Sequence, residues 1–159
     1  VGATNVARAV GKWQGVLTLL ADALKGMLPA AIGLSMTLQP AMIAAVASAA
    51  FLGHLYPLFL KFRGGKGVAT ALGVMLAVSL WLGLAVLITW LLVFAIFRYS
   101  SLAAIIAAAL APIYALFLLR PYRDYVVVIL VISVIIIWRH RSNIRKLLDG
   151  TEAGFGKRP

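Results

Sequence analysis

The sequence predicts an all-α protein, a polytopic membrane helical bundle with short and interrupted helices. Three observations carry that prediction. The 159 residues are 64% hydrophobic with a mean hydropathy of +1.04, far more apolar than a soluble domain. Only 12% are charged, and the polar residues gather in islands between long apolar runs. At roughly 20 residues per crossing, the length accommodates about four or five spans in one domain over residues 1–159.

The first apolar run, residues 15–36, contains Asp22, Lys25, Gly26 and Pro29, so an imperfect helix kinked near Pro29 is expected. Asp22 and Lys25 lie three apart on one face. They read equally well as an internal ion pair that lets a helix carry two charges in lipid, or as a cation facing a site. Gln39 and Pro40 mark a turn, and residues 41–60 form a second span. Residues 68–97 then run without a charge, too long for one ordinary span and too short for two. Positive-inside counting arbitrates. A short half-helix from Val68 to about Ser79, paired with residues 81–97 as a hairpin-like unit or an unequal pair, returns every polar cluster but one to the same face. Residues 101–119 and 125–138 supply the remaining spans, and a polar tail follows from Arg139.

Fifteen Lys and Arg against four Asp and Glu give a formal net charge of +11. The basic residues sit in short clusters beside apolar runs, without the aromatic-interleaved platform of single-strand binders, so lipid headgroups or phosphate are favoured over nucleic acid. Cysteine is absent, which removes disulfides and thiolate chemistry. Two histidines and four scattered carboxylates argue against a metal site.

Four islands border the membrane segments: residues 2–8, 53–70, 98–101 and 139–152. The second joins four glycines to Lys61, Arg63 and Lys66. Glycines let backbone N–H groups crowd round an oxyanion while lysine supplies countercharge, so this stretch reads as a phosphate cradle at a membrane surface. It is not a Walker A loop, because Leu60 stands where the first glycine is required and Gly67 where a Ser or Thr would hold magnesium. A His-x4-Asp pattern is also lacking, since Phe59 and Arg145 occupy the acidic position after His54 and His140. Ser100 and Ser101 have no acidic partner nearby in sequence. His54 reads as a hydrogen-bonded histidine at a helix end. His140, flanked by Arg139 and Arg141, is expected to have a depressed pKa and a neutral imidazole, suited to a general base or a phosphate ligand. Asn143 falls on the same helical face and offers an amide.

Read in order, the islands resemble the bacterial acyl-phosphate:glycerol-3-phosphate acyltransferase (PlsY) family over nearly the whole chain. Gly2-Ala3-Thr4-Asn5-Val6-Ala7-Arg8 is similar to the second half of the family's first motif, and Asp22-x-x-Lys25-Gly26 to its Asp-x-x-Lys-Gly element. Residues 53–70 match the second motif at every specified position. The third is matched by Arg139-His140-Arg141-x-Asn143 with Gly150-Thr151-Glu152. The family's first transmembrane helix and the Gly-Ser-Gly-Asn before Gly2 are missing, so the chain reads as amino-terminally truncated, without a serine and an asparagine expected at the site. Ala104 stands where some members carry a second serine.

The resemblance implies transfer of a fatty acyl group from acyl phosphate to the 1-hydroxyl of glycerol 3-phosphate, giving lysophosphatidic acid and phosphate in phospholipid synthesis. His140, Asn143, Lys66 and Ser101 are the expected catalytic residues. Arg8, Asn5, Gly64, Gly65 and Gly67 are expected to bind substrate phosphate, with His54 and Glu152 as structural support. Neither metal nor cofactor is expected. Expected partners are the two substrates, membrane lipid and the soluble enzyme that makes acyl phosphate, but no nucleic acid. The expected location is the bacterial cytoplasmic (inner) membrane, multi-pass, with the site on the cytoplasmic side. A transporter of phosphorylated metabolites is the alternative; it predicts midplane cation sites and an internal repeat.

Overall fold

The computed structural model describes residues 2–62 and 64–155. Every described element is helical: α1 (Ala3–Ala9), α2 (Lys12–Ser35), α3 (Pro40–Leu55), α4 (Val68–Val78), α5 (Leu80–Phe97), α6 (Ser100–Leu118), α7 (Arg123–Arg139) and α8 (Arg141–Leu148), with a 3-10 turn at Leu58–Leu60. Helices α2, α5 and α6 are long and apolar enough to cross a membrane, with mean hydropathies of 1.5, 2.6 and 2.2. Helices α7 and α8 qualify together but are bent by 54° at His140. The bundle is that of a multi-pass membrane protein.

Local sequence explains the limits. Helix α2 begins at Lys12 rather than at the apolar run and continues through Pro29 to Ser35. Helix α3 stops at Leu55, short of the expected residue 60, because Pro57 disfavours helical geometry at Tyr56, which turns to φ −127° and ψ 58°. The charge-free stretch divides where a short half-helix was expected. Ser79 is extended (φ −157°, ψ 118°), ends α4, and caps α5 by accepting from the Leu82 amide at 3.4 Å. Eleven residues of helix rise only about 16 Å, so α4 cannot cross a bilayer core of about 30 Å alone.

Packing follows the membrane pattern of small residues inside and large ones outside. On α2, Gly15, Gly26, Ala30 and Gly33 face inward while Leu17, Leu20, Leu24, Leu28 and Ile32 are exposed. A Cβ on Gly26 would stand 2.0 Å from the Thr70 carbonyl oxygen, and one on Gly73 equally close to that of Ala23, so α2 and α4 touch backbone to backbone. Helix α6 presents Ala103, Ala104, Ala107, Ala108, Ala111 and Ala115 to the core. Phe51, Leu55, Met75, Leu82, Ile129 and Ile132 fill the centre. One end of this bundle gathers α1, the loop before α4, the start of α6, the bend between α7 and α8, and the chain after α8, as the side-chain bonds below demonstrate.

Candidate active site

Residues 64–67 enter α4 as a tight, sterically constrained turn. Gly64 donates its amide to the Leu55 carbonyl at 3.2 Å, and a Cβ there would lie 2.1 Å from the His54 carbonyl oxygen. Gly67 is left-handed (φ +83°), and its Cβ would meet Phe51 at 2.4 Å. Only glycine fits either position. The amides of Gly65, Lys66 and Gly67 donate to no acceptor among the described residues, and they lead directly into the N-terminus of α4. Unpaired amides at a helix N-terminus carry positive potential, which suits an anion. Arg139 holds the loop, its Nη2 donating to the carbonyls of Gly65 at 2.9 Å and Gly64 at 3.3 Å while its guanidinium packs on Tyr56. Arg63 lies outside the described residues.

Lys66 joins a connected polar chain. Its Nζ donates to Asn143 Oδ1, Asn143 Nδ2 donates to Glu152 Oε1 at 2.8 Å, and Ser101 Oγ donates to that same carboxylate oxygen. Both ends of the Asn143 amide are therefore engaged. Its carbonyl end answers lysine and its NH2 end answers glutamate, so its orientation is fixed. Burial pushes the Lys66 pKa down, the Glu152 carboxylate opposes this, and the charges of Lys146, Arg8 and Arg139 lower it further. The fold supplies Ser101 with the acidic partner that the local sequence lacked. No Ser-His-Asp relay results, because the imidazole Nδ1 of His140 binds a backbone carbonyl instead of a carboxylate.

His140 occupies the bend between α7 and α8 and is only 3% exposed. Its Nδ1 stands 2.8 Å from the Ile136 carbonyl oxygen. A carbonyl can only accept, so Nδ1 carries the proton and Nε2 keeps a lone pair. The pKa falls to about 4, as the sequence suggested, but the cause differs. Burial dominates, the Ile136 bond opposes it, Lys66 lowers it and Glu152 raises it. The neighbouring arginines turn elsewhere, Arg139 to the glycine loop and Arg141 onto Trp138.

Arg8, in the last turn of α1, donates to the Ala153 carbonyl at 2.7 Å and lies 4.8 Å from the centre of the Phe155 ring. Thr4 bonds Ser100 at 3.1 Å. Asn5 is exposed and makes no side-chain hydrogen bond among the described residues. The tail after α8 thus crosses the site: Glu152 enters it, Ala153 holds Arg8, and Phe155 bonds the Arg98 carbonyl through its amide at 2.9 Å. Arg139 clamps the loop, and residues 153–155 form a strap across Arg8 and Arg98. Their contacts are backbone carbonyls and an aromatic face, which leave no pattern in sequence. Lys25 pairs with Asp22 at 2.8 Å, realising the ion-pair reading.

The sequence profile of the Glycerol-3-phosphate acyltransferase family matches residues 1–150. A protein named glycerol-3-phosphate acyltransferase from Methylobacillus flagellatus is 57% identical over 157 residues, covering 99% of this chain and 80% of that protein. One of the same name from Thioalkalivibrio sulfidiphilus is 53% identical, covering 99% and 77%. The fold superposes on crystal structures of PlsY (YgiH), an integral membrane glycerol 3-phosphate acyltransferase, at 45% identity. The glycerol 3-phosphate form gives a TM-score of 0.92 over 98% of this chain and 78% of that one; the lysophosphatidic acid form gives 0.90 over 98% and 79%.

Proposed function

Because the chain belongs to the glycerol-3-phosphate acyltransferase family, we propose that its site joins an acyl group from acyl phosphate to the 1-hydroxyl of glycerol 3-phosphate. The protein is an acyltransferase of lipid synthesis that acts on glycerol 3-phosphate within the membrane. Acyl phosphate as donor follows from the family resemblance, and the observation that supports a phosphate-handling site is a cradle of unpaired amides at Gly65, Lys66 and Gly67, beside Lys66 and a histidine kept neutral. Acyl phosphate is a mixed anhydride with a good leaving group, so no acyl-enzyme and no cysteine is required. The protein must hold two mutually repelling phosphates and orient one hydroxyl.

In this reading the hydroxyl oxygen forms the new ester bond at the carbonyl carbon as the bond from that carbon to the phosphate oxygen breaks. Phosphate departs with the electron pair. The hydroxyl proton passes to Nε2 of His140 or to a phosphate oxygen of the donor. Lys66 and the amides of Gly65, Lys66 and Gly67 take one phosphate, Gly64 shaping the turn instead because its amide is already bonded to Leu55, and Arg8, with Asn5 beside it on α1, faces the second. Ser101 keeps acceptor capacity after donating to Glu152, and can orient a substrate hydroxyl. Asn143 and Glu152 hold Lys66 and Ser101 in register, while His54 supports the loop. The acyl chain lies between helices, open to lipid, on the cytoplasmic side of the inner membrane, where a soluble enzyme delivers the donor.

Purified protein in lipid nanodiscs, given acyl phosphate and glycerol 3-phosphate, is expected to release phosphate and lysolipid in equal amounts. Phosphate without lysolipid would make it a hydrolase, and neither product would sink the reading. His140→Gln separates two roles: loss confined to kcat marks a base, weaker substrate binding marks a ligand, and no effect removes the residue from the site.

A further inference from the structure

We propose that His54, anchored by Asp22, is a positioning residue for the phosphate-binding loop; the inference rests on the reading of residues 64–67 as that loop. His54 lies in the last turn of α3 and touches the loop twice. Its carbonyl oxygen is the atom that a Cβ on Gly64 would strike, at 2.1 Å, and its Nε2 is the atom that a Cβ on Gly65 would strike, at 2.6 Å. Gly64 is demanded by the backbone at the end of α3, where the Leu55 carbonyl oxygen would also lie 2.4 Å from a Cβ, and Gly65 by the His54 ring itself. Arg139 draws the carbonyls of Gly64 and Gly65 its own way. Between these supports, the unpaired amides of residues 65–67 are held without any hydrogen bond of their own.

The ring of His54 has somewhere else to go. It borders a cavity of about 350 Å³ lined also by Thr18, Asp22, Lys25, Gly53 and Gly65. What opposes rotation into that space is Asp22 on α2, whose Oδ1 stands 3.5 Å from Nδ1 of His54 and 2.8 Å from Nζ of Lys25. Exposure distinguishes this from a helix-surface ion pair. The Lys25 side chain is 58% exposed and reaches outward, whereas those of Asp22 and His54 are 8% and 9% exposed. The carboxylate is turned inward, toward the histidine. A buried carboxylate is costly unless held by partners, and here the partners are a lysine that bonds and neutralises it at 2.8 Å and an imidazole whose Nδ1 faces it across 3.5 Å. Helix α2 in turn is locked against α4 at Gly26 and Gly73, so Asp22 and the helix that begins at the loop share one rigid pair.

Steady-state kinetics on the purified enzyme in nanodiscs test this, with inorganic phosphate as a competing probe and thermal unfolding measured alongside. Asp22→Asn and His54→Gln are expected to raise the KM for glycerol 3-phosphate and the inhibition constant of phosphate together, by roughly tenfold, with kcat and Tm little changed. Thr18→Ala lines the same cavity without touching the loop and is expected to alter neither. A double-mutant cycle probes the contact itself. Gly65→Ala is expected to cost about thirtyfold or more in kcat/KM when the imidazole is present, and about threefold or less on a His54→Ala background. Equal costs in both backgrounds, or wild-type affinity in Asp22→Asn and His54→Gln, would overturn the proposal. Should His54→Ala fail to fold, the two conservative variants decide alone. Wild-type affinity in both Lys66→Ala and Gly65→Ala would instead overturn the cradle reading beneath it.

Discussion

His140 is neutral for a reason its neighbours in sequence do not supply. Removing an imidazole from water disfavours its charged form, and this outweighs the Ile136 bond that would favour it. Because the folded pKa is near 4 and the ordinary value is 6.5, the unfolded chain binds the extra proton between those limits. The contribution of His140 to stability is therefore complete above pH 6.5 and lost as pH falls toward 4. Nitrogen-15 spectra of the folded protein are expected to show a neutral ring protonated at Nδ1 down to about pH 5. A charged imidazole at pH 6 would contradict the geometry. Lys66 carries the other residue-scale expectation. Lys66→Ala should lower kcat/KM by about a hundredfold or more, through loss of phosphate neutralisation, while the protein stays folded and inserted. Wild-type rates would remove it from the site.

At the scale of elements, two contacts set the geometry. One is the backbone approach of α2 and α4, which leaves no volume for a side chain at Gly26 or Gly73. Gly73→Ala is expected to lower Tm markedly, since helix backbones rather than flexible side-chain ends would have to move. Gly53→Ala is the contrast: nothing lies within 4 Å of a Cβ there, so alanine in α3 should leave Tm unchanged or raise it through better helix propensity. Equal losses for both would mean that the close approach is not what matters. The other contact is the break at Ser79, which divides an apolar stretch into a short helix that begins at the glycine loop and a longer spanning one. The loop is consequently fixed to a helix whose other end lies within the bundle.

Across the whole molecule, the site closes only when the chain's first and last segments meet. Thr4 on Ser100, Arg8 on Ala153 and Phe155, and Glu152 on Ser101 and Asn143 tie α1 and the tail to the start of α6 and to α8. Ending the chain after Gly150 removes Glu152, Ala153 and Phe155 together. It is expected to raise the KM for glycerol 3-phosphate and lower kcat/KM by more than Lys66→Arg does, with insertion intact; unchanged kinetics would show the strap to be incidental. Much of this arrangement was legible beforehand. Composition and the spacing of polar islands determined an all-helical multi-pass bundle, the short helix before Ser79 and the glycine turn that enters it, because lipid demands apolar runs of a set length and a turn packed this tightly demands glycine. Lys66, Ser101, Asn143 and Glu152, which the family resemblance singles out, form one hydrogen-bonded chain, and His140, singled out with them, lies within reach of the charges of Lys66 and Glu152. What only the tertiary structure decided is who touches whom. Arg139 turning to the loop instead of His140, the carboxylate reaching Ser101 and Asn143, Asp22 facing His54, and the strap over Arg8 all depend on backbone carbonyls and burial, which side-chain identity along a chain does not encode.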